Sequence, residues 1–255
     1  MAPPDLAIHD DAEALHADAA DRFVAAAVAA VTARDRFDVV LTGGSTLPPV
    51  YALLAAEPRR SRVAWERVRV WWTDERCVRP DDPRSNYGSA RDALLDRVPI
   101  PCERIHRMRG EDPSPERAAV HHEAALRREQ GLGRGERPRF DFAFLGLGRD
   151  AHVASLFPGS PTLALDDRLV AAVLREEVAI PDPSIDRLTL TYPALGGADL
   201  AVFVVAGADK AAAVRAVLEE PPDPALRPAQ GIAPAGGPAA WILDRAAASR
   251  LEPRR

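Results

Sequence analysis

Residues 140–162, FDFAFLGLGRDAHVASLFPGSPT, constrain the fold more than any other stretch of the chain. Phe140, Phe142, Ala143, Phe144 and Leu145 make a short, almost wholly apolar run, as expected for a central strand buried on both faces of a parallel sheet. Gly146 and Gly148 end it. Glycines at the carboxyl end of such a strand let the backbone turn sharply and approach a ligand, and open α/β sheets bind ligands at that edge. Asp150 and His152 follow at once. An imidazole titrating near neutral pH with a carboxylate beside it has the parts of a general base, although a solvated loop histidine is the other reading of this segment alone. Gly146, Gly148 and Ala151 also match the dinucleotide fingerprint G-x-G-x-x-G/A, with Asp166 and Asp167 downstream. That fingerprint needs a full helix directly after the turn, and Pro158, Gly159 and Pro161 interrupt one.

The 255 residues suit one α/β domain spanning 1–255. A net charge of −5 gives no general attraction to nucleic acid or to an anionic membrane, so neither partner is expected. With only Cys77 and Cys102 there is no disulfide framework, and reduced thiols in the cytoplasm are the simpler reading. No apolar segment reaches the roughly 18 residues that span a bilayer, and residues 1–20 are too acidic for a signal peptide.

Residues 11–34 have the length and alanine content of a helix, with Leu15, Ala19, Phe23, Ala26 and Ala30 as a core stripe and Val24, Val28 and Val31 as a second row. Residues 37–41 (FDVVL) read as a buried strand running into Thr42, Gly43, Gly44, Ser45 and Thr46, then a helix over 47–56. Such a turn favours anions through exposed N–H groups, with the Ser45 and Thr46 hydroxyls as added donors; a plain helix cap by either is the alternative. Residues 67–72 form a third strand ending in Asp74, Glu75, Arg76 and Cys77, where Arg76 offers a fork for phosphate and the two acids suit sugar hydroxyls or the positioning of another side chain. Ser85 caps a helix to about Leu95, beginning at Asn86 and Tyr87.

Further on, 105–108 reads as a short edge strand and 113–130 as a surface helix, whose His121, His122 and Glu123 lack metal-site spacing and are taken as solvated. Strands are expected at 169–174, 187–190 and 200–205, a turn at Tyr192 and Pro193, a helix over 211–219, a last strand at 240–243 and a terminal helix from Asp244. Lys210, the sole lysine, stands near a helix N-terminus, where the dipole does not favour it but an anionic ligand would. The fold expected is α/β, a doubly wound, mostly parallel sheet with helices on both faces, and four strand-end loops point at one edge.

These loops carry LTGGST at 41–46, WTDERCV at 72–78 with DDPRSNY at 81–87, GLGRDAHVASLFPGS at 146–160 and GADKAAA at 207–213. With them the chain resembles the 6-phosphogluconolactonases, of the superfamily that also contains glucosamine-6-phosphate deaminases. The resemblance implies a Rossmann-like, isomerase/deaminase-type fold and hydrolysis of 6-phospho-D-glucono-1,5-lactone to 6-phosphogluconate, without metal or redox cofactor. It implies His152 as the base that activates water, with Asp150 as its catalytic companion. Gly43, Gly44, Ser45, Arg76 and Lys210 would hold the phosphate, and Thr46, Asp74 and Asn86 would complete the substrate contacts. A monomer or homodimer is expected. Three positions depart from the family: Arg149 replaces proline and adds a cation beside the pocket, Ala151 replaces glycine, and Val153 stands where threonine is common. A positive φ at position 151 would strain alanine and displace His152; a negative φ would accept it.

The alternatives are a sugar-phosphate isomerase or deaminase, and a non-catalytic sugar-phosphate-binding module. The deaminase branch resembles GHIAFNEP after its glycine turn, with a Glu assisting the His, whereas this chain has AHVASLFP. The repressors that use the fold as an effector module carry a helix-turn-helix, and one helix before the first strand does not supply it. Ser155 lacks the G-x-S-x-G setting of a serine hydrolase.

Overall fold

Strands that are apolar on both faces can lie only in the middle of a layered structure, and the computed structural model, which describes residues 5–179 and 184–252, is built around them. Along the chain run β1 (Leu6–His9), α1 (Ala12–Arg34), β2 (Phe37–Leu41), α2 (Leu47–Leu54), β3 (Val68–Trp72), β4 (Asp74–Arg76), α3 (Asn86–Ala93) and α4 (Pro115–Gln130). Then follow β5 (Phe140–Leu145), β6 (Val170–Val173), β7 (Arg187–Leu190), α5 (Tyr192–Leu195), β8 (Ala198–Val205), α6 (Ala211–Glu219) and β9 (Ala240–Asp244). The main sheet has six strands in the order β1-β9-β8-β5-β2-β3, every pair parallel. A second sheet of three strands, β4-β7-β6, is antiparallel.

Alternation along each strand divides the core into two layers. Phe37, Val39 and Leu41 of β2 and Phe142 and Phe144 of β5 face α1 and α2, while Val40, Ala143 and Leu145 face the layer that contains α4, α6 and the second sheet. Phe23 of α1 centres the first layer, its ring within 6.0 Å of Phe37, Trp65, Phe142 and Phe144. The alanines on either side of it let the helix lie close to the sheet. Of the expected stripe, Leu15, Ala19, Phe23 and Ala30 are buried and Ala26 is half-buried, while Val28 of the second row is 45% exposed. Asp11 caps α1 by accepting from the Ala14 N–H at 2.9 Å, and Asp35 ends it in the left-handed region at φ 56°.

Several expectations need correction. Strand β1 is only four residues long, too short for its periodicity to register before α1. The edge strand expected at 105–108 is a single parallel bridge between Val70 and Ile105. No helix starts at Asp244; turns follow, because its carboxylate accepts from the Ala247 N–H at 2.6 Å and from the Gly207 N–H, tying the chain back to the end of β8. The turn at Tyr192 and Pro193 is the short helix α5. Among the described residues no helix is long and apolar enough to cross a membrane.

Of the trio at 121–123 only His121 is exposed as expected; His122 and Glu123 are not. Glu123 accepts from the N–H groups of Leu169 and Val170 at 2.9 and 3.2 Å, tying α4 to β6. His122 is buried, its ring 5.8 Å from Trp71, on whose other contact His106 stacks at 4.1 Å. Burial, reinforced by His106, drives the His122 imidazole from 6.5 down to about 4, so it is neutral in the fold. Its stabilising contribution is therefore complete above pH 6.5 and is lost as pH falls toward 4, where the unfolded chain binds the extra proton. Urea unfolding at pH 7 and pH 4.5 should show a loss of about 2–3 kcal/mol from this residue, absent in His122→Phe. An equal loss in that variant would assign the acid sensitivity to other groups.

Candidate active site

The turn after β5 is the tightest part of the site. Gly148 N–H donates to the His152 carbonyl at 2.9 Å and Ala151 N–H to the Gly148 carbonyl at 3.1 Å, so five residues close on themselves. Ala151 takes φ 64° and Ala154 φ 52°. The negative-φ alternative at position 151 does not hold, and a left-handed alanine costs about 1–2 kcal/mol. The surroundings impose it: Ala151 is buried, and its carbonyl accepts from the Ala229 N–H at 3.0 Å. His152 is nonetheless not displaced from the cleft.

His152 Nδ1 lies 2.5 Å from Asp150 Oδ1. A carboxylate accepts, so Nδ1 carries the proton and Nε2 keeps its lone pair, the tautomer a base requires. Half-burial opposes ionisation of Asp150, but the hydrogen bond and charge of His152 outweigh it and hold the carboxyl below its ordinary range. The Phe157 ring, 4.7 Å from the imidazole, walls one side. Gly148 has no freedom to be anything else: a Cβ there would sit 2.0 Å from His152 Nδ1 and 2.5 Å from Asp150 Oδ1.

The loop after β2 supplies donors. Thr46 is the N-cap of α2, but its side chain makes no capping bond. Pro48 and Pro49 remove N–H groups from the helix's first turn, so the donors available there belong to the loop itself. Among the described residues the N–H groups of Gly43, Gly44 and Ser45 have no protein partner, and Gly44 adopts φ 92°. Tyr51 secures the root of this loop, donating to the Thr42 carbonyl at 2.6 Å and accepting from its N–H at 3.1 Å.

Beyond β3, Asp74, Glu75 and Arg76 form β4 and divide their tasks. Glu75 accepts from the N–H groups of Arg76, Asn86 and Tyr87 at 2.7–2.8 Å and from Ser85 Oγ at 3.0 Å, so it caps α3 from below; burial keeps its carboxyl above the ordinary value. Asp74 lines the cleft while accepting from Ser155 Oγ at 2.7 Å, Asn86 Nδ2 at 3.1 Å and Thr73 Oγ1 at 3.1 Å. Arg76 donates to the Arg84 carbonyl at 2.6 Å, and its Nε is buried with no partner among the described residues. Burial pushes the Cys77 thiol up to about 12, which disfavours the thiolate at neutral pH.

Arg187 was missed by the sequence reading. It begins β7, and the antiparallel register places it opposite Arg76. Burial lowers its proton affinity and the Asp74 carboxylate opposes that loss. No glycine turn or charge run marks it; only the pairing of β4 with β7 does. Lys210 stands at the start of α6 and is half-buried, which lowers its pKa. Arg149 is paired with Asp209 at 2.8 Å.

One cleft of about 680 Å³ at the carboxyl edge of the main sheet gathers these groups. It is lined by Gly43, Gly44, Ser45, Thr46, Asp74, Arg76, Asn86, Arg149, Asp150, His152 and Lys210, all singled out from the sequence, and also by Ser155, Phe157, Arg187 and Asp209. A cation-rich pocket with free backbone donors beside an oriented imidazole defines a doubly wound α/β protein equipped for proton transfer on an anionic ligand. The model of the glucosamine-6-phosphate isomerases/6-phosphogluconolactonase family matches residues 10–241, and the chain belongs to that family. It is 38% identical over 241 residues to a 6-phosphogluconolactonase of Nostoc sp., covering 94% of this chain and 95% of that one. It is 37% identical over 254 residues to a 6-phosphogluconolactonase of Streptomyces coelicolor, covering 97% and 95%. The crystal structure of 6-phosphogluconolactonase from Thermotoga maritima superposes with a TM-score of 0.80 at 27% identity, over 94% of this chain and 99% of that one.

Proposed function

We propose that this chain, acting as a single domain, hydrolyses 6-phospho-D-glucono-1,5-lactone to 6-phosphogluconate without a metal ion. The observation that carries the reading is the His152–Asp150 pair at 2.5 Å, in the same cleft as Arg76, Arg187, Lys210 and the donors of the 43–45 loop. The names of the relatives support the substrate. In the proposed reaction the phosphate is held by that loop, Arg76 and Lys210, which positions the lactone carbonyl for attack. His152 Nε2 takes a proton from water as its oxygen bonds to C1, and the charge that develops on the carbonyl oxygen is stabilised by nearby cations. The bond from C1 to the ring oxygen then breaks, and the imidazolium returns its proton to that oxygen. Asp150 holds the ring in register and stabilises the imidazolium.

The test is lactone generated in situ, with 6-phosphogluconate formation coupled to its dehydrogenase and the spontaneous rate subtracted. Acceleration that survives EDTA is expected, with no turnover of glucosamine 6-phosphate. Deamination of that amino sugar in place of lactone hydrolysis would assign the chain to the other branch of its family.

A further inference from the structure

Arg149 and Asp209, both of which line the cleft, meet Nε to Oδ2 at 2.8 Å, although 60 residues separate them in the chain. Asp209 immediately precedes Lys210 in the turn that opens α6. We propose that Arg149 is a positioning residue that holds the Asp209 carboxylate away from Lys210, so that the lysine's charge is left for the phosphate of the substrate. This rests on reading the cleft as a phosphosugar site.

Without Arg149, the carboxylate next in sequence is the natural partner for an ammonium on a flexible stem. It would either pair with Lys210 or stand uncompensated where a phosphate dianion must enter. Neither occurs in the structure. No carboxylate forms a salt bridge with Lys210 among the described residues, while Asp209 is held below its ordinary carboxyl range chiefly by the Arg149 hydrogen bond. Gly207 makes room for this arrangement: at φ 99° it would place a Cβ 2.8 Å from Asp209 Oδ1, so the carboxylate folds back over a residue without a side chain. Around Lys210 the Asp209 and Asp150 charges favour the ammonium, and burial and Arg149 oppose it. In this arrangement the contact that Arg149 makes is with the carboxylate, and its effect on anion binding runs through that contact.

The test is a double-mutant cycle on the full chain with Arg149→Ala, Asp209→Asn and the two combined. Calorimetric Kd values for inorganic phosphate and 6-phosphogluconate are measured beside KM and kcat for the lactone. Arg149→Ala is expected to weaken anion binding and raise KM by about three- to tenfold, as befits one partly screened charge, with kcat within about twofold. Asp209→Asn should bind at least as tightly as wild type, and the double variant should return to within about twofold of it. A general loss of structure would not be rescued by the second substitution. A double variant as weak as Arg149→Ala would overturn the proposal in favour of direct contact between Arg149 and the anion, and unchanged binding in Arg149→Ala would overturn it outright. If the cycle holds for phosphate while no form hydrolyses the lactone, the proposed reaction fails and this inference stands. A wild type that binds neither anion overturns both.

Discussion

Replacing His152 by alanine is expected to lower kcat/KM for lactone hydrolysis by about 10²- to 10⁴-fold, the range contributed by a positioned general base. The fold should survive. The His152 side chain is 24% exposed, its polar partner is the nearby Asp150, and its ring contact is with Phe157 at 4.7 Å. A melting temperature within a few degrees of wild type would therefore accompany the loss. Asp150→Asn should fall between the two, because an amide can donate as well as accept and no longer enforces the Nδ1–H tautomer. Wild-type rates in His152→Ala would remove the imidazole from the mechanism and leave water to be activated elsewhere in the cleft.

The second large effect is expected from a single methyl group. Gly148→Ala would place a carbon 2.0 Å from His152 Nδ1, 2.3 Å from its Cε1 and 2.5 Å from Asp150 Oδ1. No real Cβ tolerates such distances, so the pair must separate. Activity should drop by about 10²-fold or more, approaching the His152→Ala level, since proton transfer fails when the base is misplaced by about an ångström. Gly146→Ala is the informative partner, because a methyl there meets nothing within 4 Å. Its loss should be far smaller. Equal losses at the two positions would mean that the contact with the imidazole is incidental.

From the sequence these two glycines were indistinguishable: both simply end a buried strand. The difference between them depends on where His152 folds back, and that is set by the turn closed between Gly148 and His152. The same limit explains Glu75. Its place in a strand-end cluster left sugar hydroxyls and the positioning of another side chain both open, and its oxygens, taken by the N–H groups of Arg76, Asn86 and Tyr87 and by the Ser85 hydroxyl, leave the positioning role. Ala151 illustrates the converse. The resemblance to the family flagged the position as a departure, and only the backbone revealed that it takes the left-handed angle and that the Ala229 contact helps to hold it.

The inner strands β2, β5 and β8 and the edge strand β3 were legible in the residues alone, since strands covered on both faces are predominantly apolar. So were the loops at their carboxyl ends, marked by glycines after β2, β5 and β8 and by a charged run after β3, and those loops converge on one cleft by the parallel topology. Tertiary structure alone decided what lies between distant segments: the β4–β7 pairing that sets Arg187 opposite Arg76, the burial of His122 against Trp71, and the Arg149–Asp209 pair. Local propensity and hydrophobic period are written in neighbouring residues. The partner of a charged side chain is settled only when packing brings two remote segments within a few ångströms.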